Sequence, residues 1–149
     1  AYVPLFEPTA SAFAAQGKGH IVTNMGLESG EVPYTTFMMR KDTIENEPGF
    51  AAAFVRAIYR AQKWVWAAGD EEVAYAMQSY FPDTDIATLS AVAKSYRATD
   101  SWTRVPTMTE DAFTRLQDIL DGAGELAARI ELSELVDNSF GEAAISEIG

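Results

Sequence analysis

Apolar residues stand in short runs at the front of the chain and recur at helical spacing further along. The runs cover residues 2–6, 20–25 and 34–40. The last of them, Tyr34-Thr35-Thr36-Phe37-Met38-Met39-Arg40, is rich in aromatic and β-branched side chains and follows Pro33. That composition predicts three short strands. Between the first two, Pro8 suits an opening helical turn, where its missing N–H would have no partner, and Gly17 suits a helix end.

Beyond Lys41 the period changes from strand-like to helical. Asn46 is a candidate cap for a helix with Pro48 in its first turn. Phe50, Phe54, Ala57, Ile58, Ala61 and Val65 then share one face, and Gly69 ends the run. Asp70, Glu71 and Glu72 place negative charge at the next helix start, where the macrodipole favours it. Val73, Met77, Tyr80 and Phe81 follow before Pro82. A third helix carries Ile86, Leu89, Val92 and Tyr96. A fourth opens on Thr107-x-x-Glu110, a capping-box pattern, and shows Phe113, Leu116, Ile119 and Leu120 ahead of Gly122 and Gly124. A weaker helical segment spans roughly residues 133–146.

A strand-rich head and a helical tail raise a physical difficulty. Open sheets usually hold about five strands. A βαβ unit buried on both faces needs further strands beside it. The expectation is an α/β fold whose remaining strands lie in polypeptide outside this sequence.

Composition narrows the function. Apolar residues make up 48% and charged residues 22%, which is ordinary for a globular protein. The apolar runs fall far short of the ~18 residues that span a bilayer as a helix. A formal net charge of −11 repels phosphate backbones and anionic membranes, so no nucleic-acid partner is expected. The absence of Cys removes disulfides, zinc–cysteine sites and iron–sulfur clusters together. No signal peptide is recognisable, and Ala1 lies inside an apolar run, so the natural N-terminus is expected further upstream.

Glu7 is the most suggestive single residue. It stands where a strand gives way to a helix, the place where open α/β sheets put their ligands. Free N–H groups at that helix start, with the Thr9 and Ser11 hydroxyls, could hold a polar or anionic group, and Glu7 could accept from an amine. Equally, Glu7 could be a capping carboxylate without a ligand role. Gly17-Lys18-Gly19 closes a helix where a phosphate loop would open one, so it reads as a turn. His20, the sole histidine, reads as a strand-edge residue. Residues 24–33 form a Gly-punctuated link, either a plain loop or part of a hinge, and Tyr34 and Thr35 after it could reach a cleft or pack inside. Trp64, Trp66, Trp102, Tyr59 and Tyr96 read as core. The acidic residues look like a solvated surface and form no paired carboxylate site. One His and no Cys give no Ser/His/Asp or Cys/His set, so no catalytic residue is assigned.

The order of several stretches is distinctive: LFEPTASAFAAQGKGHIV, then GLESGEVPYTTFMMRKDTIENEPGFAAAFVRAIYRAQKWV, then YFPDTD, then DSWTRVPTMTEDAFTRLQDILDGAGEL. Together they resemble the C-terminal half of an ABC-transporter substrate-binding protein of the NMT1/THI5-like group, which serves sulfonates, nitrate, taurine and thiamine-pyrimidine precursors. The likeness runs over nearly the whole chain. It implies a fragment of a type II periplasmic-binding fold, with short strands near the N-terminus and a mostly helical remainder. Residues 1–29 would belong to the second α/β lobe, 30–41 would be the hinge crossover strand, and 42–149 would pack as helices on the first lobe.

The same resemblance implies binding without chemistry, and neither cofactor nor metal. Phe6, Glu7 and Thr9 would face the cleft and Tyr34 the hinge. The implied partners are a small molecule of the sulfonate, nitrate, taurine or aminopyrimidine class, an ABC permease, and an N-terminal half. The implied location is periplasmic or otherwise extracytoplasmic, lipid-anchored or free. Lacking its other half, the segment could self-associate through uncovered edges. Two alternatives compete. One is an enzyme like the thiamine-pyrimidine synthases, whose lysine, histidine and cysteine-rich motif would all have to lie outside this chain. The other is a helical interaction module.

Overall fold

Pro48 opens the longest element, and the reason is local. Proline has no N–H to leave unsatisfied and its φ is already helical. The computed structural model describes residues 1–149 and contains helices α1 (Thr9–Ala15), α2 (Met25–Ser29), α3 (Lys41–Asn46), α4 (Pro48–Ala67) and α5 (Asp70–Met77). After a 3-10 turn over Gln78–Tyr80 come α6 (Ile86–Ala98), α7 (Glu110–Gly122), α8 (Leu132–Leu135) and α9 (Ser139–Ile148).

No residue lies in a strand, which overturns the expected α/β fold with N-terminal strands, and with it the type II periplasmic-binding architecture. Strands exist by exchanging backbone hydrogen bonds with a neighbour. Residues 1–5, 19–23, 31–33 and 35–39 exchange none with other backbone groups. Their side chains are correspondingly uncovered: Met38 is 92% exposed, and Tyr2, Val3, Ile21 and Val22 are all exposed. The apolar runs were real sequence signals, but composition does not supply the partner that makes an apolar run a strand. Within the third run, Phe37 packs edge-on against Phe54, ring centroids 5.1 Å apart.

The chain divides into two units, each discontinuous in sequence. The first comprises residues 1–28 and 64–102. Its centre is the pairing of α5 with α6, which buries Val73 and Ala74 against Leu89, Val92 and Ala93. The i, i+3, i+4 spacing on α6 explains why those three share a face. Leu89 and Val73 are each 1% exposed, and full burial of such a side chain stabilises by about 1.5–3 kcal/mol. At the start of α5 the Glu72 carboxylate accepts from the Gly69 N–H at 2.8 Å. Arg97 ties the end of α4 to the start of α5. Its Nη2 donates to the Val65 and Ala68 carbonyls at 2.8 and 2.6 Å, and its Nη1 to Asp70 at 2.7 Å. Those carbonyls fall at a helix end, where no intrahelical partner exists.

The second unit comprises residues 29–63 and 103–149. Its buried residues come from α4 (Ala51, Tyr59), α7 (Ala112, Phe113, Gln117) and α9 (Gly141, Ala144). Two side-chain amides act as backbone clamps. Gln117 accepts from the Ile130 N–H at 2.9 Å and donates to its carbonyl at 3.1 Å. Asn138 does the same for Met108, at 3.0 and 2.9 Å. Gly141 has no room for a side chain, because a Cβ there would stand 2.4 Å from the Pro106 carbonyl oxygen.

Several helix boundaries differ from the sequence reading. Asn46 ends α3, donating to the Asp42 carbonyl at 2.7 Å, and caps nothing. The cap of α7 is Thr109, whose hydroxyl accepts from the Ala112 N–H, and Thr107 lies outside the helix. The weak segment near residues 133–146 is two helices, α8 and α9. Among the aromatics expected inside, Tyr59 is buried, whereas Trp64 is 44% exposed and Trp66, Trp102 and Tyr96 are half-buried.

Candidate functional site

Helix α1 ends as the glycine predicted. Gly17 adopts φ +66°, a left-handed conformation that L side chains adopt at a cost, and the Lys18 N–H reaches back to the Phe13 carbonyl at 3.0 Å. That turn fixes where Lys18 emerges. At the other end of α1, the Glu7 carboxylate accepts from the Ser11 N–H at 3.0 Å and from the Ser11 hydroxyl at 2.9 Å. Of the two readings left open for Glu7, the bonds present are those of a helix-capping carboxylate. Tyr96, on α6, has its hydroxyl held above the ordinary tyrosine range, by burial first and by the Glu7 charge second. Its ring meets Trp102 edge-on at 5.3 Å.

A groove of about 570 Å³ runs between α1 and the turn that precedes α6. Thr9, Ala12, Phe13 and Gln16 form one wall, at the i, i+3, i+4, i+7 spacing of a helix face, and Asp83, Thr84, Asp85 and Thr88 form the other. Lys18 also lines it, with its Nζ 5.5 Å from the Phe13 ring centroid. Asp85 is already engaged as the cap of α6, its two oxygens accepting from the Thr88 N–H and hydroxyl, each at 2.9 Å. Those bonds hold its carboxyl below the ordinary range, the backbone bond from Thr88 contributing most.

The residues singled out from sequence are thus distributed. Thr9 lies in the groove, Glu7 caps the helix beside it, and Phe6 precedes both at 69% exposure. Tyr34 belongs to the second unit, in the non-helical stretch before α3, and is 80% exposed. His20 is exposed, and no three His, Asp or Glu side chains are grouped to hold a metal ion. Sequence reading missed Lys18, Asp83 and Thr88 as groove residues. The Gly-Lys-Gly turn announced where Lys18 would sit, but nothing in the pattern placed α1 against the start of α6.

Over 146 residues, 98% of the chain, the sequence is 39% identical to the Bacillus subtilis (strain 168) protein named "Putative binding protein YtlA". The likeness is to a binding protein. The aligned region is 44% of that relative, so the chain spans less than half of its length. No protein-family model matches the chain, and no solved structure matches it. No helix is long and apolar enough to cross a membrane.

Proposed function

We propose that the chain is part of a solute-binding protein that captures a small polar molecule outside the cytoplasm and delivers it to the permease of an ABC importer. The observation that carries this reading is the 39% identity with a protein named for binding, extending over 98% of the chain. The ordered motifs resembling the NMT1/THI5-like group supply the solute class: a sulfonate, nitrate, taurine or an aminopyrimidine. Phe6, Glu7, Thr9 and Tyr34 are the proposed contacts. Capping does not remove Glu7 from consideration, because a carboxylate has lone pairs beyond the two hydrogen bonds it accepts here.

Calorimetric titration with taurine, nitrate and an aminopyrimidine tests the reading. Saturable binding of one class is expected. Glu7→Gln should weaken an amine-bearing solute and leave nitrate unaffected. A folded chain silent to every class would overturn the proposal.

One set of observations favours the interaction-module alternative. Tyr2 and Phe6 in the first unit, and Tyr34 and Met38 in the second, are large side chains exposed on stretches with no regular structure. The same surface supports self-association of the chain. Sedimentation velocity over a range of concentrations should show a rising mass, and a constant monomer would remove that part of the reading.

A further inference from the structure

We propose that Arg115 on α7 and the turn at Gly30 form a site for inorganic phosphate, bound as hydrogenphosphate. Three arginines of the chain are half-buried: Arg56, Arg97 and Arg115. Burial of an arginine ordinarily goes with pairing. Arg56 pairs with Glu147, and Arg97 with Asp70. Arg115 makes neither an ion pair nor a hydrogen bond, in a chain with 22 Asp and Glu residues to choose from. Its guanidinium lies instead against Gly30, where a Cβ would stand 2.6 Å from Nη1 and 3.2 Å from Cζ. Gly30 also adopts φ +77°, so a glycine there meets two demands, the turn and the close approach. Just past the turn, the Glu31 and Val32 N–H groups donate to no other group. All four residues belong to the second unit.

A guanidinium fork takes two oxygens of an oxyanion. A carboxylate is then fully engaged, whereas a tetrahedral ion keeps oxygens for backbone N–H groups beyond the fork. Among tetrahedral ions the neighbouring charge selects phosphate. Glu31 follows Gly30 directly, and Asp111 stands one turn before Arg115 on α7. Both are exposed, and neither makes an ion pair or a hydrogen bond. Carboxylates repel an ion that can only accept, as sulfate and sulfonates do. Hydrogenphosphate keeps an O–H and can donate it to a carboxylate. Selectivity then comes from repulsion of the competitors as much as from attraction of the ligand. The net charge of −11 opposes a polyanion far more than one small ion. The site uses none of Phe6, Glu7, Thr9 and Tyr34, so it goes beyond the solute-binding reading and can fail separately from it.

The test is an NMR titration of the chain, at slightly alkaline pH and constant ionic strength, with phosphate, sulfate, methyl phosphate, taurine and nitrate. Saturable shifts at Gly30, Glu31 and the Arg115 side chain are expected with phosphate. Sulfate should bind more weakly, and so should methyl phosphate, whose dianion has no O–H. Arg115→Gln and Arg115→Lys should each weaken phosphate binding by about tenfold, the scale of one hydrogen bond to a charged group. Arg60→Gln, which removes an exposed charge from α4, should leave it unchanged. A dispersed amide spectrum confirms that each variant is folded. Sulfate binding as tightly as phosphate, undiminished binding by both Arg115 variants, an equal loss in Arg60→Gln, or no saturation with phosphate would overturn the proposal. Taurine or nitrate saturating while phosphate stays silent would overturn this site alone and spare the solute-binding reading. The ion series on the unaltered chain decides the matter even where a variant fails to fold.

Discussion

The α5–α6 pair and the apolar stretches at residues 1–5, 19–23 and 31–39 begin from similar raw material. Both are rich in large apolar side chains. Within α5 and α6 the backbone pairs along the helix itself, and the apolar face needs only one neighbouring helix to bury Leu89 and Val73. In the three stretches neither condition is met: Tyr34 aside, their backbone groups form no bonds to other backbone, and most of their large apolar side chains stay open. A helix can be finished by local sequence. An extended apolar segment is finished only by something beside it.

The largest effect should come from the buried side of this contrast. Leu89→Ala should cost about 2–5 kcal/mol, read as a shift in urea midpoint. Met38→Ala should stay within about 0.5 kcal/mol. A comparable loss at Met38 would break the contrast, since it would mean that the stretch is packed. A sharper version compares two glycines. Gly141→Ala must displace the Pro106 carbonyl and should cost roughly 1–3 kcal/mol. Gly49→Ala, in open space within α4, should raise stability by about 0.5–1 kcal/mol.

The smallest effect is one of pH. Asp85 has a lower carboxyl pKa in the folded chain than in the unfolded one, because Thr88 donates to its charged form. The unfolded chain therefore takes up the proton first as pH falls. The cap's contribution is complete at neutral pH and fades through the acidic carboxylate range. Asp85→Asn should flatten the stability-versus-pH curve in that range, with urea midpoints as the readout.

How much of this was legible in the sequence follows the same division. Pro48, Gly69, the Asp70-Glu71-Glu72 run and the spacing of Leu89 and Val92 marked α4, α5 and α6 closely, because each signal acts within a turn or two. Gly17 marked the end of α1 for the same reason. Thr107 was mistaken for the cap of α7, since Thr109 offers the same hydroxyl two residues later and only the observed bond to Ala112 separates them. The clamps made by Gln117, Asn138 and Arg97 reach across 13 to 32 residues and left no periodic trace. The candidate site divides likewise. The bonds from Ser11 to Glu7 span only four residues, whereas the gathering of Lys18 and Asp83 along one groove depends on α1 lying against α6.

Hydrogen–deuterium exchange of the free chain tests the central contrast most directly. Amides of α5 and α6 should exchange slowest, while those of residues 1–5, 19–23 and 31–39 should exchange near the unfolded rate. Protection in those three stretches equal to that of α6 would contradict the account, because it would mean that their backbone groups already have partners.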